Sequence, residues 1–291
     1  MSRDMNPEKI AILVDSCADL SPKQMKGKPI YLVPLRILCG NKEYHDGENI
    51  TNEDIYRRQE KGELPRTSLP EITRVDKALE KIGKDGYEKV IALPLSSGLS
   101  GTYNMVRLEC LDHRELECAA FETFSASLGV GMVVLQLWED IQAGMSWETL
   151  VNERVPFLLK NTTPYFSVDT LEYLQKGGRI GMVTAVAGTL LNIKPILGFT
   201  QDGQLTSVAK VRGRKAINSK FIELLRGHLG EHKVFNLAVA NGGDPKGMAE
   251  LKTELESAFP GFGQMWEATM DATLATYVGK GMLGVGIQVL D

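Results

Sequence analysis

Apolar runs alternate with stretches of helical periodicity through the first half of the chain. Ile10 to Val14 is continuously apolar and ends in Asp15, and further β-type runs cover Leu32 to Leu38, Val90 to Leu95 and Leu116 to Phe121. Short runs bounded by polar and turn residues predict strands. Between and after them the spacing predicts helices over Glu53 to Glu60, Glu71 to Lys81, Tyr103 to Leu111, Leu128 to Ala143 and Trp147 to Lys160. Strands alternating with helices of this length build crossover units, and therefore a mostly parallel sheet. The texture changes after Asn161. Tyr165 to Val168 reads as a strand, Gln201-Asp202-Gly203-Gln204 as the turn of a hairpin, and antiparallel character enters. A helix over Lys215 to Arg226, a strand over Phe235 to Ala240, a helix over Pro245 to Ala258 and a last strand near Val285 to Leu290 complete the pattern. The expected fold is α/β in two domains: residues 1–160 around a mostly parallel sheet, and residues 161–291 of α+β type.

The length of 291 residues accommodates two ordinary domains. Lys and Arg number 33 against 37 Asp and Glu, for a net charge of -4, so there is no basic field to gather a phosphate backbone and nucleic acid is not an expected partner. The four cysteines form no C-x-x-C pair, and MSRDMNPEKI is too charged for the core of a signal peptide. The expected location is the cytoplasm, where the sequons at Asn49 and Asn161 carry no meaning. No apolar run reaches the roughly 18 residues of a membrane span. Leu128 to Trp138 is interrupted by Gly129, Gly131 and Gln136 and reads as a buried helix.

Two motifs imitate known chemistry without its context. Gly279-Lys280-Gly281-Met282-Leu283-Gly284 has the spacing of a dinucleotide fingerprint, but only seven residues follow it, so it reads as a glycine-rich turn into the last strand. His228-Leu229-Gly230-Glu231-His232 matches a zinc-protease pattern, but Gly230 sits inside it and a strand begins at once, which describes a helix C-terminus. The loop Leu95-Ser96-Ser97-Gly98-Leu99-Ser100-Gly101-Thr102 is more informative. It follows a strand and opens a helix, so backbone NH groups and hydroxyls are expected to converge there as a site for a carboxylate or phosphate. A serine nucleophile is the rival reading, against which the loop lacks the G-x-S-x-G arrangement and the chain has only four histidines. Arg66-Thr67-Ser68-Leu69-Pro70 offers hydroxyls at another helix start, for capping or for a ligand. Gln175-Lys176-Gly177-Gly178-Arg179-Ile180-Gly181 is either a solvated turn or an arginine presented to an anion or a protein partner. No Walker A pattern, metal-spaced cysteine set or paired-carboxylate signature occurs, so no cofactor or metal is expected and a binder is favoured over an enzyme.

Together these residues resemble the DegV family of bacterial fatty-acid-binding proteins. The similarity rests on Ile12-Leu13-Val14-Asp15-Ser16, Thr67-Ser68-Leu69-Pro70, Ser96 to Tyr103 and Ser127-Leu128-Gly129-Val130-Gly131. It continues through Tyr173-Leu174-Gln175-Lys176-Gly177-Gly178-Arg179-Ile180 and Leu191-Asn192-Ile193-Lys194-Pro195-Ile196. The resemblance implies a long-chain fatty acid held in a crevice between two domains and presented to a separate ATP-dependent fatty acid kinase, which makes the acyl phosphate. It implies carboxylate contacts from Thr67 and the Ser96-Ser97 loop, with Ser68 and Ser100 beside them, and a role for Arg179 in the kinase interaction. Three positions depart from the family pattern. Tyr277 stands where a histidine is common, Glu122 replaces an aspartate, and Asn241 occupies the place of another frequent histidine. The tyrosine can still donate to a carboxylate, but it does not charge near neutral pH. The alternative is an enzyme acting on a small phosphorylated or acyl substrate at the Ser96 to Thr102 loop.

The carrier reading is physically coherent. At about 0.8 kcal/mol per buried methylene, a C16 tail gains on the order of 11 kcal/mol before ordering costs. The head group then needs hydrogen bonds to offset its burial.

Overall fold

A computed structural model describes residues 6–183 and 193–291. Part of the N-terminal stretch, and Leu191 and Asn192 of the Leu-Asn-Ile-Lys-Pro-Ile motif, lie outside the described residues. In chain order the first half runs β1 (Ile10–Asp15), α1 (Pro22–Met25), β2 (Ile30–Val33), β3 (Arg36–Cys39), β4 (Lys42–His45), α2 (Asn52–Glu60), β5 (Arg66–Ser68), α3 (Ile72–Lys84), β6 (Lys89–Ala92), α4 (Thr102–Asp112), β7 (Glu117–Ala120) and α5 (Leu128–Gln142). A short α6 (Trp147–Thr149) passes through a π-helical turn into α7 (Val155–Lys160). The second half contains β8 (Thr162–Ser167), α8 (Glu172–Lys176), β9 (Ile193–Phe199), β10 (Leu205–Arg212), α9 (Lys215–Leu229), β11 (Phe235–Gly242), α10 (Pro245–Ala258), β12 (Met265–Thr269), α11 (Ala272–Val278) and β13 (Met282–Val289).

Three sheets result. The first is parallel in the order β2-β1-β6-β7, as the alternation of strands and helices predicts. Its central strand β1 is buried along its whole length, which explains the unbroken apolar run. The second is a small antiparallel sheet, β4-β3-β5. The third is mixed, in the order β10-β9-β8-β13-β11-β12, and the predicted hairpin is β9-β10, with Phe199 opposite Leu205.

The small sheet corrects the sequence reading, in which Leu32 to Leu38 was a single strand. Pro34 has no NH to donate to a ladder, so the parallel strand stops at Val33. The chain then restarts at Arg36 in a different sheet and turns back at Gly40, whose φ is +58°. The edge strand β12, which runs parallel to β11, and the helix α11 are further elements that the hydrophobic pattern did not announce. The two motif mimics are settled by backbone. Gly230 ends α9 with φ +54°, leaving Glu231 and His232 beyond the helix that holds His228. Gly279 and Gly281 have φ of +75° and +94° in the turn that leads into β13.

Helix α5 is the shared wall. It is buried almost all round, packing one side into the core over β1 and β6 and another against β8, β11 and β13. Among the described residues no helix is long and apolar enough to cross a membrane.

Candidate functional site

The strands β8, β11 and β13 present a row of residues in register: Ala240 opposite Gly284, and Gly284 opposite Phe166. Over this row stand α11, β5 and the loops around Leu99 and Ser127, and between them lies a cavity with an empty volume of about 830 Å³, its open mouth included. Its walls are predominantly apolar, as those of small-molecule sites are.

The polar groups on the wall are few. Thr67 projects from β5, and its Oγ1 lies 2.7 Å from the Tyr277 hydroxyl on α11. The Arg179 guanidinium stacks 4.9 Å from the centre of the Tyr277 ring and donates to the carbonyls of Gly177 (2.8 Å) and Leu99 (3.4 Å). Ser100 lines the same wall and shares a 2.9 Å hydrogen bond with Thr102. Four of the residues chosen from sequence, Thr67, Ser100, Arg179 and Tyr277, are thus brought together on one cavity from four separate segments.

The other three lie elsewhere. Ser68 alternates to the opposite face of β5, where its hydroxyl accepts from Arg36. Ser97 is exposed. Ser96 is buried behind the wall, its hydroxyl donating to Gly203 O (2.9 Å) and accepting from Gly98 N (3.0 Å). The loop is also not an open nest of amides, which corrects the expectation of free NH groups. The amide of Ser96 donates to Ser125 O, those of Leu99 and Ser100 to Ser96 O, and that of Thr102 to Ser100 Oγ. The Ser97 amide is taken by the carboxylate of Glu122. Glu122, one of the departures noted in the sequence, therefore acts as an internal anion for this loop. A Cβ on Gly98 would lie 2.6 Å from Gly203 O, so the loop closes tightly on the β9–β10 turn. Asn241, the other departure, points away from the cavity and accepts from the Gly243 amide.

Sequence reasoning missed Thr273. It sits in the first turn of α11, lines the cavity, is 2% exposed, and its hydroxyl has no hydrogen-bond partner among the described residues. A buried hydroxyl left unpaired costs about 1–3 kcal/mol, so a polar atom of a ligand placed here would be favoured.

The start of α11 is fixed by buried carboxylates. Asp46 accepts from the amides of Ala272 (3.1 Å) and Thr273 (2.9 Å), Asp271 caps the helix through the Leu274 amide (2.6 Å), and Asp19 accepts from the Asp271 amide (2.8 Å) and the Ser127 hydroxyl. Asp15 ties β1 to the serine loop through the Leu95 amide, 2.7 Å away. Burial pushes Asp15 and Asp19 up to about 7, and burial with the neighbouring Asp46 and Asp19 charges pushes Asp271 well above the carboxylate range. These groups hold the helix that carries Thr273, Leu274, Tyr277 and Val278 to the cavity.

The small antiparallel sheet, α11 and the mixed sheet enclose an apolar cavity with a small polar cluster in an α/β protein. The DegV family profile, described as one of uncharacterised proteins, matches residues 9–289, and the chain belongs to that family. A DegV domain-containing protein of Clostridium acetobutylicum is 35% identical over 280 residues, covering 96% of this chain and 99% of the relative. The structure resembles that of a fatty-acid-binding DegV family protein from Thermus thermophilus, with a TM-score of 0.90 and 29% identity over 97% of this chain and 99% of the other. It also resembles DegV, a fatty acid binding protein from Bacillus subtilis, with a TM-score of 0.86 and 28% identity over 97% and 99% of the two chains.

Proposed function

We propose that this protein binds a long-chain fatty acid in the cavity between the sheets and presents its carboxylate to a separate ATP-dependent fatty acid kinase. The observation that carries the reading is the cavity itself: an apolar space whose wall gathers Thr67, Ser100, Arg179 and Tyr277. The fatty-acid-binding relatives from Thermus thermophilus and Bacillus subtilis support it. The tail supplies affinity by burial, and the hydroxyls of Thr67 and Tyr277, already 2.7 Å apart, can both turn toward a carboxylate oxygen. Arg179 is held by two carbonyls and an aromatic ring, so its charge is fixed close to the head group at the edge of the molecule's polar cluster. In this reading the chain carries the substrate and the kinase performs the phosphoryl transfer. The rival phosphate-site reading of the Ser96 to Thr102 loop is disfavoured because Glu122 and internal carbonyls already occupy its amides.

The test is a reconstituted reaction with a fatty acid kinase, ATP and palmitate. Acyl phosphate formation should require this protein, and Arg179→Ala should lose far more of the turnover than of the palmitate affinity. Acyl phosphate formed equally well without the protein contradicts the presentation step.

A further inference from the structure

On strand β13, Met282, Gly284 and Gly286 share the face that looks toward the cavity and α5, while Leu283, Val285 and Ile287 enter the opposite core. The two glycines are there for different reasons. A Cβ on Gly286 would lie 2.5 Å from Met132 Sδ, so a side chain there would have to displace the end of the Met132 side chain on α5. A Cβ on Gly284 would meet Met282 Sδ at 3.4 Å, Ala240 Cβ at 3.5 Å and Tyr165 O at 3.6 Å, all ordinary contacts, and its φ is not positive. Neither a turn nor a close approach explains glycine at 284, although glycine weakens a strand interior. What lies in front of it is the cavity, and its cross-strand partner Ala240 lines the same space. The three atoms nearest that position come from Met282, Ala240 and Tyr165, none of them from Thr67, Ser100, Arg179 or Tyr277.

We infer that the Gly284–Ala240 pair sets the length of acyl chain that the cavity accepts, the missing side chains leaving the space filled by the last methylenes of the tail. This rests on the fatty-acid reading above and adds the residues that gauge the ligand. Each methylene kept out of an apolar site lowers affinity about fourfold, so losing room for two shifts preference by about fifteenfold. A β-branched residue fills the space while suiting the strand.

The experiment measures the dissociation constants of myristic (C14) and stearic (C18) acids for the wild type and for Gly284→Val, Gly284→Ala and Ala240→Val, with thermal melting to confirm folding. Gly284→Val should move the C14 to C18 affinity ratio at least tenfold toward the shorter acid. Ala240→Val should move it the same way, and Gly284→Ala by a smaller factor. If valine at 284 prevents folding, the Gly284→Ala and Ala240→Val proteins carry the same test. A wild type that binds both acids, with ratios unchanged in the folded variants, overturns the gauge alone. A wild type that binds neither acid overturns the fatty-acid reading, and the gauge with it.

Discussion

Thr67 and Tyr277 show how little chemistry the site needs. Neither hydroxyl is charged, and each has the other as partner at 2.7 Å, so neither is left unpaired. A carboxylate entering between them converts a neutral hydrogen bond into charge-assisted ones, each worth about 1.5–3 kcal/mol. Thr67→Val, which keeps the shape and removes the hydroxyl, should therefore weaken palmitate binding by about tenfold or more, measured by calorimetric titration. Methyl palmitate, which lacks the charge, should show no such loss. Thr273→Val tests the missed residue in the same way: a ligand atom on its unpaired hydroxyl predicts weaker binding, whereas undiminished affinity means that the head group does not reach α11's first turn. Sequence reasoning named Thr67, Ser100 and Arg179 from motifs and Tyr277 from the family resemblance, and the four line one cavity. It could not say that Ser96 turns its hydroxyl to Gly203, because that contact joins residues 107 positions apart.

At the scale of elements, α11 is the part that the sequence concealed and the site depends on. Ala272–Val278 mixes two alanines and a leucine with two threonines, a tyrosine and a valine, and it is buried on most sides, so no polar face marks it. Its start is held by carboxylates. The central strands β1 and β6 of the first sheet, by contrast, were legible because their burial leaves continuous apolar runs. The carboxylates give a sign to the pH dependence. Asp15 and Asp19 stand near 7 in the fold and ordinarily titrate near 4, and Asp271 is raised as well, so folding favours their neutral forms. Their contribution is complete below about pH 4 and is lost as pH rises through about 7. Asp271→Asn keeps a good helix cap while removing one charge from the group. The melting temperature of the variant should fall less between pH 5 and pH 8 than that of the wild type. A steeper fall in the variant would contradict the assignment.

The whole molecule is tied together at α5 and at the serine loop. The strands before residue 160 form the parallel and small sheets and those after it the mixed sheet, a division that the change of texture at Asn161 marks in the sequence. Packing does not respect that line: α5 lies on β8, β11 and β13, and Gly98 closes against Gly203. A fragment of residues 1–160 would leave the apolar face of α5 uncovered, so it should aggregate or stay expanded in size-exclusion chromatography, and it should bind no palmitate. The cavity is equally a property of the whole, because its walls come from the small sheet, α11 and the mixed sheet at once. For that reason the sequence indicated a crevice without its dimensions.

The central claim is that this cavity holds a fatty acid, and the most direct measurement is mass spectrometry of the protein purified from a bacterial host, first in its native state and then after solvent extraction. The account predicts a native mass above that of the bare chain by one fatty acid, with C14 to C18 acids recovered in the extract at about one per protein. A bare mass, from protein that also takes up no added palmitate, would contradict it.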